Sequence, residues 1–80
     1  MNKKPKIGDK VSYPISNNGT GIGVVIDPEL NGIPKNDRLY YAREKYVLVQ
    51  AIINNKASYS FWQRYKNLTL VPDEPKDSVS

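Results

Sequence analysis

The chain has 80 residues, 39% of them hydrophobic, with no Cys, no His and a formal net charge of +4. That length holds one domain at most, burying roughly 60% of the surface its unfolded form exposes. Without Cys or His, disulfide scaffolds and nearly all zinc, haem and iron–sulfur chemistry are excluded, so no cofactor and no metal is expected.

Charge is spread unevenly. Lys3, Lys4 and Lys6 give residues 1–6 a net of +3, a basic N-terminal arm. No apolar h-region follows it, so no signal peptide is expected there, and no apolar run reaches the length of a membrane span. The absence of Cys fits a reducing compartment, and the expected location is the cytoplasm. Residues 7–71 hold eight basic and five acidic residues, a mild excess. Ordinary charge mixing on a solvated surface accounts for it, and so does a weak attraction to nucleic acid or an acidic partner. Residues 73–80, "DEPKDSVS", are acidic and poor in apolar residues and read as a disordered tail. The domain is expected over residues 7–72.

Strand patterns dominate the body. In "DKVSY", residues 9–13, Val11 and Tyr13 share one face. "PISNNGT" is turn chemistry. In "GIGVVID", residues 21–27, Ile22, Val24 and Ile26 share one face, while Gly23, Val25 and Asp27 share the other. Gly23 bares its face at one point, which suits a bend or a close backbone approach.

Residues 27–45 form a long connection in which Pro28, Asn31-Gly32 and Pro34 mark turns. "NDRLYYARE" fits either two helical turns, with Asn36 or Asp37 as N-cap, or the splayed start of the next strand. The Tyr40-Tyr41 pair favours the strand.

"KYVLVQAII" is apolar on both faces, the mark of a central or curved strand. "NNK", residues 54–56, suits a type I′ hairpin. "ASYSFW" returns antiparallel, with Ala57, Tyr59 and Phe61 opposed to Ser58, Ser60 and Trp62. "QRYKN" has the length of one 3₁₀ turn, and "LTLV" is a last short strand. Five short strands in so small a chain leave open edges unless they close, so the expected fold is an all-β, five-stranded SH3-like barrel.

"IGDKVSYPISNNGTGIGVV", then "YVLVQ", "SFW" and "LTLV", resembles the small barrels of the Tudor and KOW group. The opening Gly-Asp-x-Val and the Gly-rich second strand are similar to the C-terminal barrel of UvrD-type repair helicases. They are also similar to the RNA-polymerase-interacting domain of CarD-like regulators and transcription-repair coupling factors. Small proteins of tailed phages share the layout. The resemblance covers roughly residues 7–72 and implies a barrel and a binding role. RNA polymerase is one partner it suggests, in the host cytoplasm if the chain is phage-encoded.

No constellation carries catalysis. Asp9, Asp27, Glu29, Asp37 and Glu44 are scattered over loops, and "GTGIG" has no helix behind it to hold a phosphate. The expected object is not an enzyme. The aromatics point to binding instead. Tyr13, Tyr59 and Phe61 fit the core, leaving Trp62, Tyr46, Tyr65, Tyr40 and Tyr41, with Arg64 nearby, as a protein-binding set. Trp62 either anchors a partner, lids the barrel end or packs under the 27–45 segment. An open strand edge offers a further place for a partner strand. A second reading is a nucleic-acid-binding barrel using Lys45, Lys56, Arg64, Lys66 and the basic arm. A third is a small-molecule site between the long connection and the barrel mouth.

Overall fold

The computed structural model describes residues 3–16 and 19–71. The tail expected over 73–80 lies outside the described residues. Within them, one antiparallel sheet contains β1 (Lys10–Ile15), β2 (Gly19–Val25), β3 (Tyr46–Ile53), β4 (Lys56–Arg64) and β5 (Thr69–Leu70). Its spatial order is β4-β3-β2-β1-β5. The described residues are thus all-β in class, with one helix, α1 (Lys35–Arg43), and one 3₁₀ turn, Tyr65–Asn67.

The expected closed barrel is not formed. Among the described residues no ladder joins β4 to β5, and the sheet stays open between them. The reason is length. β5 contributes two residues, Thr69 and Leu70, paired to Ser12 and Val11, whereas β4 is nine residues long. Side chains bridge the gap in place of backbone. Tyr13 of β1 meets Phe61 of β4 edge to face at 4.8 Å, although the two strands are not neighbours in the sheet.

That contact depends on a missing methyl group. Val11 and Tyr13 pair with Gly23 and Gly21, so both glycines lie on the core face. A Cβ on Gly21 would stand 2.5 Å from Tyr13 Cζ, and one on Gly23 would stand 2.6 Å from Val49 Cγ1. The bare strip on β2 lets the Tyr13 ring lie flat across it. Around this strip pack Val11, Val25, Val47, Val49, Ala51 and Leu68, with Phe61 and Tyr65 at the margin. Burial, and then the Tyr59 side chain, push the Tyr13 phenol above its ordinary value. Tyr59 itself is not in the core. It is 56% exposed, tilted against Phe61 at the rim.

The turn at Asn54-Asn55 has positive φ at both residues, 55° and 64°, as a two-residue I′ hairpin requires. Next to it the register breaks. Ile52 faces Ala57, but Gln50 faces Ser60, so Ser58 and Tyr59 together oppose the single Ala51. This is a β-bulge on β4. The Gln50 side chain takes the Ser58 carbonyl at 3.1 Å. The bulge also corrects the alternation read from "ASYSFW": Ala57 pairs with Ile52 and leaves the face of Phe61.

Residues 35–43 are helix, not the strand extension that Tyr40-Tyr41 favours. Pro34, at φ −60°, sets the entry, and its carbonyl accepts the first helical bond from Arg38 N–H at 2.9 Å. No side chain caps the N-terminus, so neither Asn36 nor Asp37 is the cap. Asp37 in the first turn and Arg43 in the last suit the helix dipole. Strand propensity is a statement about fitting a pleated, half-buried surface, and these tyrosines fit a helix laid on one.

Substituting Gly21→Ala drives a methyl group into the Tyr13 ring. The expected cost is about 1–3 kcal/mol, as for overpacking elsewhere. In a Tyr13→Val background the same change costs much less. Urea unfolding of the four proteins checks this, and equal costs in the two backgrounds would place the strain somewhere other than the ring.

Candidate functional site

The outer face of the sheet is built by the alternation of β3 and β4. Leu48 pairs with Trp62 and Tyr46 with Arg64, so these four side chains stand together on the side away from the core. Helix α1 lies against them. The Tyr41 ring stacks on the Trp62 indole at 4.1 Å with 8° between the planes. Tyr41 also meets Tyr46 and Tyr40 edge to face, at 5.3 and 5.1 Å. The Arg64 guanidinium sits 5.1 Å from the Tyr46 ring centroid. A hydrogen bond with Tyr46 is the largest influence on it and raises its pKa, holding the charge.

Five of the six residues expected to bind a protein therefore converge: Trp62, Tyr46, Arg64, Tyr40 and Tyr41. Tyr65 does not join them. It packs on the core side, and its N–H donates to the Lys45 carbonyl at 3.1 Å. Trp62 is half-buried under Tyr41, so it packs beneath the 27–45 segment and is not a free anchor. The exposed members of the cluster are Tyr40, half accessible, and Arg64. Leu39, beside Tyr40, is 58% exposed, and α1 contains no buried residue at all.

The four residues of the nucleic-acid reading do not form one stripe. Lys56 opens β4 at the hairpin turn, opposite Ile53, whereas Arg64 closes the same strand opposite Tyr46. Eight steps of extended chain separate them, roughly 26 Å. Lys45 and Lys66 lie at the Arg64 end, at the foot of α1 and in the 3₁₀ turn.

A cleft of about 320 Å³ opens beside the aromatic cluster, between α1 and the chain before β1. Its floor is Val25, Val47 and Leu48, all buried. The N-terminal segment forms one wall through Lys4, Pro5, Lys6 and Ile7. It is fixed there, with Pro5 buried, Lys6 N–H bonded to Asp9 Oδ2 at 2.8 Å, and Gly8 N–H bonded to the Val25 carbonyl at 2.7 Å. Residues 4–6 are therefore part of the packed unit and not a free arm. Helix α1 forms the opposite wall through Arg38 and Ala42, one turn apart. Arg38 is held by the Ile33 carbonyl at 3.1 Å and Glu29 at 3.8 Å.

The cleft lies along the 27–45 connection, where the third reading set a small-molecule site, but sequence reasoning did not name its lining. Arg38 and Ala42 share a face only if residues 35–43 are helical, and the strand reading separated them. The one legible signal was "PKIGD", where Asp9 closes a turn on Lys6. Among the described residues no group of acidic side chains could hold a metal ion, and no helix is long and apolar enough to cross a membrane. Comparison with protein-family models, with curated proteins and with solved structures finds no match.

The stack makes Trp62 a reporter of helix docking, since the chain has one Trp. Tyr41→Ala is expected to shift Trp62 emission to the red and raise its quenching by acrylamide, while the far-ultraviolet strand signal persists. A stacked pair contributes about 0.5–1.5 kcal/mol beyond area burial. Unchanged emission would mean that Tyr41 does not cover the indole.

Proposed function

We propose that the chain is a non-enzymatic binding module that docks a protein partner on the ledge formed by α1 and the outer face of β3 and β4. The observation that supports this reading most is the outward display of Leu39 and Tyr40 on a helix with no buried residue. A nine-residue helix is marginal alone. Here the Tyr41–Trp62 stack holds it to the sheet, so Tyr40 is presented from a fixed base. Tyr46 and Arg64 continue the surface. Aromatic side chains and Arg are the residue types that dominate binding energy at protein interfaces, and they lose little freedom when already positioned. RNA polymerase is one candidate partner, by the resemblance of the sequence to polymerase-binding barrels alone.

The full chain, immobilised and exposed to a bacterial lysate with and without nuclease, tests the reading. A specific protein is expected to be retained after nuclease and at about 0.5 M salt, where exposed charge pairs are largely screened. Tyr40→Ser and Arg64→Ala should each release it. These residues are exposed, so their loss leaves the fold intact. Retention that disappears with nuclease, or falls steeply with salt, would favour the nucleic-acid reading instead.

A further inference from the structure

We infer that the cleft between the N-terminal segment and α1 binds a small organic anion: an apolar, arylalkyl-sized body carrying one carboxylate. The cleft adjoins the ledge, and Tyr46 and Trp62 border both, but its occupation does not depend on a protein partner docking there.

Its lining divides cleanly. The floor is apolar, from Val25, Val47 and Leu48. Trp62 and Ala42 supply further apolar surface on the helix side. The charged residues that line the cleft are all cations: Lys4, Lys6 and Arg38. No Asp or Glu lines it. Arg38 is tied to Glu29 and Ile33, but Lys4 and Lys6 make no ion pair among the described residues. An apolar cavity rimmed by two unpartnered ammonium groups and a fixed guanidinium favours a ligand that buries a greasy body and leaves one negative charge at the mouth. A cation is repelled by the rim. A dianion with no apolar body forfeits the floor. The volume, about 320 Å³, stands near the lower end of the roughly 300–1,000 Å³ typical of ligand pockets, and it limits the ligand to a small molecule.

The test uses the full chain, ¹⁵N-labelled, and two probes that differ only in charge: 4-phenylbutyrate and its neutral amide, 4-phenylbutyramide. Saturable shifts are expected at Ile7, Ala42, Leu48 and the Trp62 indole with both probes. The acid should bind about two- to five-fold tighter, the factor one exposed ion pair supplies. The double variant Lys4→Ala, Lys6→Ala should remove most of the acid's advantage over the amide and leave the amide unchanged. Both lysines are exposed, and the spectrum of the variant itself reports whether it is folded. Ala42→Leu, which fills the cleft from the helix side, should weaken both probes. Tyr40→Ser should alter neither, which separates this site from the ledge. No saturable shift up to about 10 mM, a concentration beyond any useful affinity, would overturn the inference. Equal affinity for acid and amide, or shifts centred away from these residues, would do the same.

Discussion

One extra residue in β4 decides which aromatic side chains of this chain are inside and which are outside. The two-residue turn at Asn54-Asn55 pairs Ile53 with Lys56 and Ile52 with Ala57. Continued without interruption, that register would set Phe61 opposite Leu48 and Trp62 opposite Val47. A slip of one residue exchanges the faces of every side chain beyond it. The bulge at Ser58–Tyr59 supplies that slip, so Phe61 faces Val49 in the core and Trp62 faces Leu48 outside. Both halves of the structure follow from it. Inside, Phe61 is placed to meet Tyr13. Outside, Trp62 is placed to receive Tyr41.

Each face then solves a different problem. The core is short of material, with only seven buried side chains in its cluster among the described residues. It gains cohesion by removing atoms at Gly21 and Gly23, so that Tyr13 and Val49 pack against bare backbone. Ring contacts connect β1 to β4 where no backbone ladder does. The outer face has the reverse difficulty, an aromatic row that a sheet alone leaves wet. Helix α1 covers part of it through Tyr41 and leaves the rest as a ledge. The N-terminal segment covers another part and leaves the cleft. Both candidate surfaces therefore sit at the same end of the molecule, where the 27–45 connection leaves β2 and enters β3.

The strands were legible because their signal is local. Short apolar runs between turn signals located all five, and Asn-Asn announced its own turn. Gly23 was legible as a close approach because a bare position in a strand has few other uses. What the sequence left hidden was relational. The helix carries tyrosines that suit a strand, and it is selected by a stack on Trp62, twenty-one residues further on. The open sheet follows from the shortness of β5, which "LTLV" does not reveal. Tyr65 and Trp62 look alike as unplaced aromatics, and only the packing of Tyr65 against the core cluster separates them. Most of the protein-binding set could be named from composition. The lining of the cleft could not, since its two walls are some thirty residues apart and one depends on the helix.

The β3–β4 register tests this account most directly, because both faces depend on it. Backbone nuclear Overhauser contacts across the hairpin report it without any substitution. The bulge predicts contacts pairing Leu48 with Trp62 and Val49 with Phe61, beside Ile52 with Ala57 near the turn. Contacts pairing Leu48 with Phe61 and Val47 with Trp62 would show an unbroken ladder, turn the indole into the core and contradict the account.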